Sequence, residues 1–132
     1  MAQHATGGFG VTAWDEQSYE ELAGGAKLTR ARVAQDFSGD LEATGTWEFL
    51  MCYREDGTAD YVGLARIAGR IDGRSGSFVL QTSGSYDGSD ARSAWQVVPG
   101  SGTDELRTLR GAGTAVAPHG PSGTFELDYE LD

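Results

Sequence analysis

The chain has 132 residues, and its 20 acidic against 10 basic side chains give a formal net charge of −10. One domain fills that length, and the acidic balance excludes the basic footprint that nucleic acid or an anionic membrane surface requires. Hydrophobic residues make up 39% of the sequence, enough for a core, and no apolar run is long enough to span a bilayer.

In chain order, residues 1–7 read as a flexible tail, with no basic-then-apolar stretch of the kind that marks a secretory leader. Eight strands are then expected, at about 8–15, 27–37, 43–55, 60–71, 75–83, 90–98, 104–112 and 123–131. Between the first two, Ser18-Tyr19-Glu20-Glu21 has the form of a helix capping box, but Gly24-Gly25 would stop a helix after one turn, so strand or loop is expected. In the third, Trp47, Phe49, Met51 and Tyr53 share one face, opposite Glu48, Leu50, Cys52 and Arg54. The fourth and fifth are apolar on both faces, as where a sheet closes on itself and is then covered again. In the sixth, Ala91, Ser93, Trp95 and Val97 form a stripe. The last alternates throughout, with Phe125, Leu127, Tyr129 and Leu131 against Glu126, Asp128, Glu130 and Asp132.

Twenty glycines, spaced at roughly ten residues, punctuate these strands. Turns are legible at 55–57, 72–76, 87–88, 99–102 and 119–123. Consecutive antiparallel strands joined by short hairpins make an all-β domain, most economically a single eight-stranded up-and-down barrel, because closure removes exposed edges. A two-sheet sandwich is the alternative. A barrel of eight strands is just wide enough to be filled by side chains or to hold one small ligand.

The order of landmarks resembles the DUF3224 family, which has no established common function. The segments that carry the resemblance are Gly-Phe-Gly-Val-Thr-Ala-Trp-Asp-Glu (8–16), Lys-Leu-Thr-Arg-Ala (27–31), Phe-Ser-Gly-Asp-Leu (37–41), Tyr-Val-Gly-Leu (61–64), Gly-Arg-Ser-Gly-Ser-Phe-Val-Leu-Gln (73–81), Val-Val-Pro-Gly-Ser-Gly-Thr (97–103) and Leu-Asp-Tyr (127–129). The family is similar in fold to the allene oxide cyclase-type barrel, which is also lipocalin-like. The resemblance implies a His-Glu pair after the Phe-Val-Leu-Gln strand, whereas Thr82-Ser83 stand there in this chain.

Chemistry leaves few marks. There is no phosphate-cradling glycine pattern and no nucleophile elbow. His4 and His119 fall in a tail and a turn, too few for a metal site, and no cofactor or metal is expected. Cys52 stands alone, so no internal disulfide is available and a cytoplasmic location is expected; flanked by Met51 and Tyr53, it reads as a buried, inert thiol. Asp15, Glu16, Glu20 and Glu21 read as a solvated cluster.

Glu48 lies mid-strand, and Lys27, Arg30, Arg54 and Arg66 are also on strands. If Glu48 and an arginine such as Arg66 point inward, they form a charge pair able to orient a ligand or act as an acid; the same residues also read as a wet outer face. Trp14, Trp47, Phe49, Tyr53, Tyr61, Phe78, Tyr86 and Trp95 either pack a core or line a pocket for a flat molecule. The expected site therefore comprises Glu48 as the catalytic candidate, with Trp47, Tyr53, Tyr61, Arg66, Phe78, Gln81 and Trp95 as ligand-binding candidates.

Two classes of function fit. One is a barrel that binds a small apolar molecule, or a filled barrel whose role lies in assembly. The other is a cofactor-free cyclase or isomerase, which needs aromatic walls and one or two hydrogen-bonding groups rather than a triad. Apolar side chains on both faces of the central strands point to a homo-oligomer.

Overall fold

The computed structural model describes residues 3–118 and 122–132. Eight strands run β1 Gln3–Glu21, β2 Lys27–Gly39, β3 Leu41–Tyr53, β4 Ala59–Ile71, β5 Arg74–Tyr86, β6 Ala91–Val97, β7 Arg110–Ala117 and β8 Ser122–Glu130. Each pairs antiparallel with its neighbour in sequence, and β8 pairs with β1, so the sheet is a closed up-and-down barrel rather than a sandwich. The only helical turns among the described residues are two short 3₁₀ segments, Ala23–Gly25 and Asp104–Leu106.

The period-two patterns place the core where the apolar stripes lie. In β8, Phe125, Leu127 and Tyr129 are buried while Glu126, Asp128 and Glu130 face water. In β2, Thr29, Ala31, Val33, Gln35 and Phe37 point inward. Each large apolar side chain taken out of water here stabilises the fold by about 1.5–3 kcal/mol. The β4–β5 hairpin turns on Asp72-Gly73, with φ of 52° and 72° between the paired Ile71 and Arg74. Positive φ at both positions is a tight turn whose twist matches the strands, and glycine enters it without strain.

Three sequence expectations are corrected. No free tail spans residues 3–7: Gln3 pairs with Tyr129 and Ala5 with Leu127, so this stretch supplies the seam that closes the barrel. Strand pairing satisfies its backbone groups, and the small Ala5 fits the core side at 1% exposure. Met1, Ala2, and the turn residues 119–121, His119 among them, lie outside the described residues.

The seventh strand begins at Arg110, not near 104. β6 is short, so the lower half of β5 is paired with β4 on one side but with no strand on the other. Residues 98–109 fill that gap: Val98 N–H donates to the Val79 carbonyl (2.9 Å), and Thr103 N–H donates to the Ser77 carbonyl (2.8 Å). The Thr103 and Ser101 hydroxyl oxygens accept from the backbone N–H groups of Ser77 and Val79, each at 3.0 Å. Leu106 and Leu109 then enter the core with at most 1% of their surface exposed. Finally, Cys52 is exposed on the outer face, opposite the buried Met51, because the inward phase of β3 is odd-numbered.

Candidate functional site

The upper part of the barrel is open and the lower part is packed. Between them lies a cup of about 590 Å³ with aromatic walls. Trp47 and Trp95, 6.1 Å apart, sit at its base, where Trp95 stacks on Phe125 at 5.5 Å and meets Phe37 edge-on at 6.0 Å. Above them Phe49 stacks on Trp47 at 5.2 Å and meets Tyr61 edge-on at 5.4 Å. Tyr53, Tyr86, Ser89, Ala91 and Ala117 complete the upper wall. No Asp, Glu, His, Lys or Arg lines the cup among the described residues.

A bulge decides what stands at the mouth. Val11 pairs with Gln35 and Ala13 with Ala34, which leaves Thr12 as an extra residue in β1. The inward phase therefore changes from odd (Phe9, Val11) to even, and Trp14 rather than Ala13 lines the cup, half-exposed at its rim. The same shift sets Glu16 opposite Ala31, whose side chain is buried. Glu16 accepts from the Trp14 indole N–H at 3.0 Å and from the Thr29 hydroxyl at 2.7 Å.

Burial raises the Tyr53 phenol above its ordinary range, and the neighbouring Glu16 carboxylate raises it further. Burial also pushes Tyr61 up, offset in part by the Ser93 hydroxyl. Both phenols are therefore neutral donors at pH 7.

Gln35 is a nearly buried polar group of this wall. Only 8% of it is exposed, and its Oε1 accepts from the Trp47 Nε1–H at 2.9 Å. Thr82 is also inward, and its hydroxyl donates to the Ala94 carbonyl at 3.0 Å.

Residues 5–129 match a family described as "Protein of unknown function (DUF3224)". The chain belongs to the DUF3224 family. A crystal structure of a protein with unknown function from the same family, from Shewanella oneidensis MR-1, is similar at 32% identity with a TM-score of 0.85; the match covers 100% of this chain and 98% of that one. None of the curated proteins matches.

Within this DUF3224 barrel, Trp47, Tyr53, Tyr61 and Trp95 come together around the cup. Phe78 is buried, at 1% exposure, but is not among the residues lining the cup. Three nominated residues point away. Glu48 faces outward, where Arg30 and Arg32 each approach it at 3.4 Å. Gln81 lies near Glu48 on a shallow outer groove with Leu50, Val62 and Leu64. Arg66 is exposed on the outer face of β4 and donates to the Ser77 hydroxyl at 3.2 Å.

The physical reason is common to all three. The faces they share are also apolar, so alternation left the inward phase open. Folding resolves it by leaving the charged Glu48 and Arg66 and the polar amide of Gln81 in water, where they need no compensating partner. Thr82, which occupies the place where the resemblance implies a histidine, supplies a capped hydroxyl to the wall and no imidazole.

Sequence reasoning missed Gln35, Glu16 and Met51 as cup or mouth residues. Gln35 carried a signal, being the one long polar side chain in the inward series Ala31, Val33, Gln35, Phe37. Glu16 carried none, because its orientation depends on the bulge at Thr12.

Proposed function

We propose that this DUF3224 protein binds a small, largely apolar molecule in the cup. What supports the reading is a single observation: an open, aromatic-walled cavity of about 590 Å³ with no charged side chain lining it among the described residues. That volume falls within the range of small-molecule sites, which are mostly apolar with a few fixed polar groups. Binding is favoured over cyclisation or isomerisation because the acid nominated for catalysis, Glu48, stands outside the barrel. A cytoplasmic location belongs to the same reading; no helix of the described residues is long and apolar enough to cross a membrane.

The test uses Nile red, an uncharged planar dye, titrated against the wild type and two variants. Ala117→Trp fills the mouth at a half-buried position, and Glu48→Gln alters only the outer face. Saturable one-to-one fluorescence enhancement that A117W abolishes and E48Q retains is the expected result. Enhancement in A117W equal to wild type would place the dye elsewhere and end the proposal.

A second copy of the chain is the partner this reading includes. Leu50, Val62 and Leu64 are each more than half exposed on adjacent strands of the outer face, with Leu50 paired to Val62. The outward charges around them are Arg30, Arg32, Arg54 and Arg66 against Glu48 and Asp60, a local sum of 4 − 2 = +2. In a molecule of net charge −10, this patch is spared the acidic excess of the whole chain.

A further inference from the structure

Gln35 offers the cup more than a packing surface. The Trp47 indole nitrogen can only donate, so the amide must turn its oxygen toward it, and that fixes which end of the amide is Nε2. Among the described residues no group accepts a hydrogen bond from Nε2, and no side-chain nitrogen or oxygen is both fully buried and unpartnered. Nε2 therefore reaches the space of the cup, where Gln35 is part of the lining. It does so below the rim: Gln35 lies two residues further along β2 than Val33, the partner of Trp14, about 7 Å of strand at ~3.3 Å per residue.

Such a group would be costly to cover without an acceptor, and nothing among the described residues supplies one. The remaining lining argues about charge. A carboxylate or phosphate entering the cup would lose its hydration and find no cation among the described lining residues; at the mouth, Glu16 and Lys27, both beside Tyr53, offset each other. Resting on the cup reading above, we infer that the ligand is a planar apolar molecule whose buried end carries an uncharged hydrogen-bond acceptor, a carbonyl or ring nitrogen, received by Gln35 Nε2. Phe49, Tyr53 and Tyr61, each partly exposed in the cup, provide the aromatic surfaces above it, and the Gln35–Trp47 bond holds the donor in place.

Three naphthalenes of nearly the same outline test this by equilibrium dialysis: 2-acetylnaphthalene, 2-isopropylnaphthalene and 2-naphthoate. The ketone should bind about fivefold more tightly than the hydrocarbon, the worth of one net hydrogen bond. The carboxylate should bind more weakly than both. In Gln35→Met the ketone's advantage over the hydrocarbon should fall to about one, while the hydrocarbon keeps its wild-type affinity, which a damaged cup would not allow. Should Q35M alone fail to fold, the pair Q35M/W47F removes the orphaned indole N–H as well; it is compared with W47F, which changes the same wall, and the ketone-to-hydrocarbon ratio should fall to about one only in the double variant.

Equal wild-type affinities for ketone and hydrocarbon, or preference for the carboxylate, would overturn the inference and leave the cup standing. Absence of binding by all three would overturn the cup itself, and this assignment with it.

Discussion

At the scale of single residues, Tyr53 concentrates the consequences of the mouth. Its ring is crossed by Lys27, with Nζ 5.2 Å from the centroid, and its phenol is raised above the ordinary value of 10 by burial and then by Glu16. The sign follows from linkage: a phenol raised in the folded state contributes stability that is fully present below pH 10 and is lost as pH rises through the folded value. Tyr53→Phe should therefore flatten the alkaline loss of stability, measured by urea unfolding at pH 8 to 11. In a phenolate absorbance titration it should also remove one late-ionising group from the five tyrosines. An unchanged late phase would show that Tyr53 titrates as an ordinary surface phenol.

His4 offers the opposite kind of contact, exposed and acidic-partnered. Its Nδ1 lies 2.6 Å from Asp128 Oδ1 across the β1–β8 seam, and that hydrogen bond is the main cause raising the imidazole above 6.5. The seam contact is fully present below pH 6.5 and fades as pH rises through the raised value. Asp128→Asn should lower the His4 midpoint in an NMR titration. The stability change should be small, because both side chains are more than half exposed.

Among the elements, the segment 98–109 does the work of the strand that β6 is too short to provide. Two fully buried leucines anchor it, and Gly76 allows its backbone to come close: a Cβ there would strike the Thr103 carbonyl oxygen. Leu106→Ala should cost about 2–5 kcal/mol by urea denaturation, the range for a large-to-small core change that leaves a cavity. Gly76→Ala should cost about 1–3 kcal/mol through overpacking alone. A variant L106A as stable as wild type would mean the segment rests on the barrel without holding it. The bulge at Thr12 is the other element-level device. It gives the upper end of β1 a different inward phase from the lower, so one strand serves both the packed core and the mouth.

For the whole molecule, charge and apolar surface act against each other. A net charge of −10 favours separation of copies, while the proposed self-association would use the exposed Leu50, Val62 and Leu64. Sedimentation velocity should therefore show association that strengthens from 0.05 to 0.5 M NaCl, because salt screens repulsion between exposed charges and leaves apolar burial intact. Leu50→Glu/Leu64→Glu should leave a monomer under both conditions. A wild type that is monomeric throughout would remove the second copy as a partner.

Much of the barrel was legible in the sequence, because two-residue periodicity is a local property. The stripes of Trp47 to Tyr53, Ala91 to Val97 and Phe125 to Leu131 set the strands and their inner faces, and the glycine-rich turns set their number and antiparallel order. The acidic balance and the aromatic content were equally plain. Glu48, Arg66 and Gln81 were not placed by the same reasoning, since each shares its face with apolar neighbours and the strand alone is consistent with either orientation. Their direction is decided only when eight strands close and one face of every strand must leave water together. Glu16 and Trp14 depend on a single extra residue at Thr12, which exists only in the register between β1 and β2. Residues 104–109 read as strand by composition, yet became a buried filler because β6 ends early and β5 needs its backbone partners met. The amino-acid sequence by itself thus determined the architecture, through local alternation. The cup, its mouth and its one free amide donor were decided by closure and register, which bring together residues far apart in the chain.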